Sequence, residues 1–249
     1  MILLVDVGNT RIKWTQWSGG DVSRLGDCPT PNVAGLRQVW NLSGINFALV
    51  SCVAGDAVRR SLAELLADAG ISVHWVQPEY SRHRLINHYQ PPGSLGADRY
   101  AALIGASRRL QRDCVVVSVG TAMTSDILTG DGQFLGGCIV PGPDLMRRSL
   151  FSGTAGIRAS TGRWQDIPRD TGAAVDSGVA LALLGVVEGM RRSLAEMRGR
   201  QSVEPLDAVV LTGGARSWLM PLMRCEVIEV DELVLEGLAW IARDLGFAG

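Results

Sequence analysis

The sequence predicts an α/β layered fold built from two similar halves, and three observations carry that expectation. Short apolar runs rich in branched residues alternate with segments of helical spacing, as layered strands and helices do. The pattern restarts midway, where Val117-Ser118-Val119-Gly120-Thr121-Ala122 lines up with Val5-Asp6-Val7-Gly8-Asn9-Thr10. In both places a strand-like run stops at glycine and then resumes, which reads as strand, tight turn, strand.

In chain order, Ile2 to Val7 is a buried strand stopped by Gly8-Asn9, and Ile12 to Trp17 alternates like a half-buried one. Phe47 to Val53 reads as another strand. Ala57 to Ala69 carries Val58, Leu62, Leu65 and Leu66 at helical spacing and ends at Gly70, before a strand over Ile71 to Val76. Tyr80 to Gly96 is polar, contains Pro91-Pro92, and reads as a long loop of the kind that often carries function. A helix follows over Asp98 to Leu110. The second half opens with Cys114 to Thr121, continues over Thr124 to Leu128, turns at Gly130-Asp131-Gly132 and returns over Phe134 to Val140. Val175 to Met197 is a long apolar-periodic helix, Ala208 to Leu211 a strand ending in Thr212-Gly213-Gly214, and Glu232 to Leu245 a closing helix. The expected lobes are residues 1–112 and 113–249.

With 24 basic and 25 acidic residues, the chain has no electrostatic footprint for nucleic acid or an anionic membrane. Any phosphate must be held by local geometry. Five scattered cysteines without a CxxC pair fit reduced thiols better than a disulfide framework or zinc site. The opening apolar run is too short for a signal-peptide core or a membrane span, so a cytoplasmic protein is expected. His74, His83 and His88 show no metal spacing. Arg147-Arg148 and Arg191-Arg192 read as solvated helix faces.

The chemistry concentrates in glycine turns. In Asp6-Val7-Gly8-Asn9-Thr10-Arg11-Ile12-Lys13 the glycine lets the backbone approach an anion, and successive N–H groups of a tight turn form an anion nest. Asn9 and Thr10 add donors, Lys13 returns on the second strand toward phosphates, and Asp6 suits Mg²⁺ held through its water shell. A plain hairpin explains the same residues. The echo at Gly120-Thr121-Ala122-Met123-Thr124-Ser125-Asp126 shifts the balance, because packing does not require the same turn twice. Two such loops would grip a triphosphate from both sides. Neither is a Walker A or dinucleotide loop. Asp98 in Leu95-Gly96-Ala97-Asp98-Arg99 reads either as a helix N-cap or as a general base for a hydroxyl nucleophile, with Arg99 pairing a substrate carboxylate or carbonyl.

Together these segments, with Gly136-Gly137-x-Ile139-x-Pro141-Gly142, Thr212-Gly213-Gly214 and Leu233-Val234-Leu235-Glu236-Gly237-Leu238, closely resemble type III pantothenate kinases over nearly the whole chain. The resemblance implies a duplicated, ribonuclease H-like, two-lobed fold of the acetate and sugar kinase/Hsp70/actin kind, acting as a homodimer. It implies ATP-dependent phosphorylation of the terminal hydroxyl of pantothenate, the first step toward coenzyme A. By matching position, Asp6, Val7, Gly8, Asn9, Thr10, Arg11, Ile12 and Lys13 bind ATP phosphates and Mg²⁺, and Thr121 contacts ATP. Asp98 accepts the proton; Tyr89, Gly96, Ala97 and Arg99 line the pantothenate pocket. Thr171 is a substrate contact lent by the dimer partner, and Val175 to Leu184 suits a subunit interface or, equally, ordinary core. One position departs. Where the family has an aspartate associated with a monovalent cation such as K⁺ or NH₄⁺, this chain has Ser118, a poorer ligand for a hard cation.

Three rival readings stand beside this one. A kinase of the fold with another small hydroxylated substrate would differ around Tyr89 and Arg99. A non-enzymatic regulator, as the family's other label of Bvg accessory factor implies, would show erosion at Asp98 or in the hairpins, and neither is eroded. A phosphate-ester or anhydride hydrolase would place water where the substrate hydroxyl sits.

Overall fold

A computed structural model of the chain describes residues 1–157, 162–199 and 208–247. The elements run β1 (Ile2–Val7), β2 (Arg11–Trp17), β3 (Gly26–Pro29), α1 (Leu36–Val39), β4 (Phe47–Cys52), α2 (Asp56–Asp68), β5 (Ser72–Trp75), β6 (Ser81–Arg82), β7 (Leu85–Asn87) and α3 (Ala97–Arg109). They continue with β8 (Cys114–Val119), β9 (Ala122–Leu128), β10 (Gln133–Pro141), α4 (Pro143–Gly153), α5 (Thr171–Met197), β11 (Ala208–Thr212), β12 (Val227–Glu229) and α6 (Leu233–Asp244). They form two compact units. The first comprises residues 1–111, 131–134 and 232–249, the second 112–130 and 135–231. The expected boundary at 112/113 coincides with the first crossing between units, and the chain crosses again after 130, 134 and 231.

The first unit is built on a sheet of order β3-β2-β1-β4-β5. β1 pairs antiparallel with β2 and parallel with β4, so it is a central strand covered on both faces. That is why Ile2 to Val5 and Val7 are all apolar and buried, without alternation. Leu62, Leu65 and Leu66 of α2 supply one wall of the core beneath Leu3, Val5 and Val50. The Trp14 and Trp40 rings meet edge to face at 5.7 Å. α6 belongs to this unit and crosses α3 at very short range. A Cβ on Gly237 would collide with the Ala101 carbonyl, and one on Gly105 would lie 2.8 Å from the Leu233 carbonyl oxygen. These two glycines allow the crossing.

In the second unit β8 pairs antiparallel with β9 and parallel with β11, and β11 pairs parallel with β12. Read from β10, the order β10-β9-β8-β11-β12 repeats the order of the first sheet. The duplication expected from two short echoed segments thus extends to the whole strand plan. α5 lays Val179, Leu183 and Val187 against a core of Val115, Val117, Met123 and Leu211. By length and composition α5 alone among the described helices is apolar enough to cross a membrane, yet it contributes this face to the core of its unit.

Two expectations need correction. The stretch from Tyr80 to Gly96 is not a plain loop: it holds the β6–β7 hairpin, whose two-residue turn is His83-Arg84. Such turns need positive φ and normally use Asn-Gly, so this one carried no turn signal. Arg191 is not on a solvated face. It is 6% exposed and pairs with Glu188 at 2.9 Å. Arg147 likewise pairs with the buried Asp176, at 2.9 Å.

Candidate functional site

The first hairpin closes when the Gly8 N–H donates to the Arg11 carbonyl at 3.0 Å, leaving Asn9 and Thr10 exposed at its tip. Buried Thr30 fastens it from the side. Its hydroxyl donates to the Gly8 carbonyl at 2.7 Å, and its N–H donates to the Thr10 carbonyl at 2.9 Å. Arg11 is held by Asp27. The tip is therefore rigid at its base and open at its crest, as an anion nest must be.

Asp6 and Lys13 face each other in register across this hairpin. Asp6 Oδ1 is buried without a hydrogen-bond partner. Burial, reinforced by the negative charges of Asp98 and Glu232 and opposed by Lys13, pushes the Asp6 carboxyl up to about 7. Lys13 Nζ lies 3.2 Å from Glu232 Oε2, and Arg24 Nε lies 3.2 Å from the other Glu232 oxygen. Glu232 immediately precedes α6, so the close α3–α6 crossing determines where this carboxylate stands.

α3 begins at Ala97, with Gly96 in the capping position. Asp98 is thus not the N-cap expected as its bland explanation. It lies inside the first turn, and its Oδ1 accepts the Arg99 N–H at 2.8 Å. Gly96 leaves room for that carboxylate, since a Cβ there would approach Asp98 Oδ1 to 2.6 Å. Burial raises the Asp98 carboxyl above its ordinary range even against the Arg99 charge and N–H. Arg99 is buried, with its guanidinium 5.3 Å from the Tyr89 ring centroid and 5.8 Å from that of Phe134. Tyr89 and Phe134 stack at 5.8 Å. Asp6, Lys13, Asp98, Arg99 and Tyr89 therefore all belong to one unit, with the Asp98 charge close enough to help raise the Asp6 carboxyl.

In the second unit three glycine motifs converge at the ends of β8, β10 and β11. The Gly120 N–H donates to the Ala122 carbonyl at 3.0 Å, closing a turn one residue shorter than the first. The Gly142 N–H donates to the Thr121 carbonyl at 2.8 Å, and a Cβ on Gly142 would strike the Gly120 carbonyl. Gly213, at φ 96°, packs so tightly that a Cβ would strike the Val119 carbonyl. Ser118 stands opposite Thr124 on one side and Thr212 on the other. Asp126 is buried under Gly137, whose missing side chain makes its space. Thr171 is exposed at the start of α5, behind Asp170, whose carboxylate accepts the Ala173 N–H at 2.8 Å as a true N-cap.

Sequence reasoning missed Glu232 and Phe134. Glu232 was readable only as the first residue of the closing helix, since Lys13 lies 219 positions away. Phe134 looked like an ordinary strand aromatic.

Two sheets of the same order, each opening on a glycine hairpin, define the duplicated fold of the acetate and sugar kinase/Hsp70/actin class. Comparison with known structures agrees on the fold. A Campylobacter jejuni protein provisionally described as a Baf family transcriptional activator superposes with TM-score 0.68 at 18% identity, covering 98% of each chain. A Sinorhizobium meliloti protein provisionally described as a 2-dehydro-3-deoxygalactonokinase gives 0.56 at 15%, covering 98% of this chain and 99% of that one. In sequence, the family model for type III pantothenate kinase matches residues 2–193. The type III pantothenate kinase of Azoarcus sp. (strain BH72) is 44% identical over 97% of this chain and 90% of its own length. That of Thiobacillus denitrificans is 39% identical over 97% and 96%. The chain belongs to the type III pantothenate kinase family.

Proposed function

We propose that this protein transfers the γ-phosphoryl group of ATP to the terminal hydroxyl of pantothenate, giving 4'-phosphopantothenate at the entry to coenzyme A synthesis. The observation that carries the site assignment is the pair of half-buried carboxylates, Asp6 and Asp98, both raised above their ordinary range, in one unit with Lys13 and Arg99. Two acids of one kind, one beside a lysine and one at a helix start, are suited to different tasks.

The unsatisfied, buried Asp6 oxygen fits a hydrated dication, so Asp6 would hold Mg²⁺ through water. Bound there, Mg²⁺ supplies charge neutralisation for the phosphates. Backbone N–H groups at the open crest of the hairpin cradle phosphate oxygens, with Asn9 and Thr10 adding side-chain donors and Thr121 contacting ATP. Lys13, oriented by Glu232, meets the phosphates as a point charge. Asp98 accepts the hydroxyl proton as the oxygen attacks the γ-phosphorus, and the bond to the bridging oxygen of ADP breaks. A raised base is better matched to a weakly acidic alcohol than an ordinary aspartate. Arg99, locked against Tyr89 and Phe134, orients the pantothenate beside Gly96 and Ala97.

The enzyme works as a cytoplasmic homodimer whose partner lends Thr171. Support for the dimer comes from α5, which exposes Ala174, Gly178, Leu181, Ala182 and Gly185 along one face. The small residues at i, i+4, i+8 and i+11 would let a second helix approach closely, with Leu181 at i+7 as the apolar knob between them. With Ser118 and Thr212 offering only neutral oxygens at the position of the family's aspartate, the monovalent-cation requirement is weakened or lost.

A coupled assay of ADP release with and without pantothenate tests this reading. Pantothenate-dependent turnover is expected in Mg²⁺, largely retained when K⁺ is replaced by Na⁺. ATP loss without phosphorylated pantothenate would instead mark a hydrolase. No turnover with any monovalent cation would defeat the kinase assignment.

A further inference from the structure

The first unit contains a cavity of about 310 Å³ outside the residues assigned above, beyond the end of β5 and beside α2, α3 and α6. Three features distinguish it from a packing fault. The Tyr100 side chain lines it at 1% exposure, and its hydroxyl, beside the Glu79 backbone N–H, has no acceptor for its own proton among the described residues. Buried hydroxyls are ordinarily satisfied, so an orphan lining a cavity points to a ligand atom that completes it. Arg59 also faces the cavity. Its guanidinium lies 4.5 Å from the centroid of the Trp75 ring, and no carboxylate pairs with it among the described residues. Finally, His83, at the turn of the β6–β7 hairpin, forms part of the wall, and its Nδ1 is tied to Asp244 at 2.9 Å, which fixes the ring there.

The charge of the lining selects the ligand class. Arg82 is engaged by Glu79 at 2.6 Å, and the two arginines against one glutamate leave one positive charge. A doubly charged phosphate would meet Glu79 without compensation, whereas a carboxylate matches the planar fork of Arg59. Val73 and Ile241 offer an apolar wall for the remainder. We propose that this cavity is a second small-molecule site, taking a small organic monocarboxylate whose acid group pairs with Arg59 and accepts a hydrogen bond from the Tyr100 hydroxyl. The site stands on its own geometry and does not depend on the pantothenate assignment.

Isothermal titration of the full chain with sodium benzoate, sodium butyrate and inorganic phosphate tests it. A carboxylate should bind one to one in the millimolar range or tighter, and saturating ADP should leave that binding intact. Arg59→Gln should weaken it at least tenfold and Tyr100→Phe severalfold. Glu79→Gln should tighten it severalfold, a gain that misfolding cannot mimic. Absence of carboxylate binding at about 10 mM, preference for phosphate, or indifference to Arg59→Gln and Glu79→Gln would overturn the proposal. So would binding that Arg99→Gln abolishes and Arg59→Gln spares, which would place the carboxylate in the Tyr89–Arg99 pocket.

Discussion

At the scale of single residues, the two acids make opposite predictions. Asp98→Asn should lower kcat by about 10²–10⁴-fold, the usual worth of a general base, with little change in KM for ATP. Because burial raises this carboxyl, kcat/KM of the native enzyme should fall on the acid side with an inflection above the ordinary 3.8. Full activity in Asp98→Asn would remove it from the chemistry. Asp6 bears on stability. Its folded value near 7 exceeds the unfolded 3.8, so between those limits the folded state holds the extra proton. The contribution of Asp6 to ligand-free stability should therefore be lost as pH rises from about 4 to about 7. Asp6→Asn should flatten that decline and melt higher than native protein at pH 8 while losing affinity for Mg²⁺-nucleotide. Thermal melts at pH 5 and 8 without ligand measure the first effect; a lower melting point for the variant at pH 8 would contradict it.

At the scale of elements, the α3–α6 crossing is the most sensitive joint in the first unit. A Cβ at Gly237 meets the Ala101 main chain, which has no rotamer by which to move aside. Gly237→Val should cost at least the roughly 1–3 kcal/mol typical of overpacking, and should raise KM for ATP by displacing Glu232 from Lys13. A melting temperature unchanged by the substitution would show that the helices can part freely. The central strands and the helices α2, α3, α5 and α6 were legible in the sequence because their burial imposes a pattern on consecutive residues, whereas α4, which buries only Pro143, was not. β1, β4 and β8 are apolar runs, and α2 and α5 carry a helical stripe. The short elements β3, α1, β6, β7 and β12 were not, since two to four residues cannot display a period and pairing partners determine them. The site followed the same division. Asp6 to Lys13 and Gly120 to Asp126 are local turns with local signals. The service of Glu232 to Lys13, or of Phe134 to Arg99, arises only from long-range folding.

At the scale of the whole molecule, connectivity and self-association come forward. Fragment 1–112 lacks α6, whose Leu233, Leu235, Leu238 and Ile241 are buried in the native chain. It should show no cooperative thermal transition in calorimetry, and a sharp transition would mean that the first unit completes its core without α6. Leu181, 52% exposed on an otherwise small-residue face of α5, is the position at which to test association. Leu181→Arg should convert a dimer to a monomer in sedimentation velocity with little change in circular dichroism. A dimer that survives would place the interface elsewhere. The ion pair between Lys13 and Glu232 has a consequence in time as well as space. A ribosome adding about 5–20 residues per second takes on the order of 10–40 s to travel from one partner to the other. Through that interval the phosphate hairpin exists without the carboxylate that orients its lysine. A nascent chain cannot assemble a competent nucleotide site early, and a chain cut short before Glu232 never orients its lysine at all.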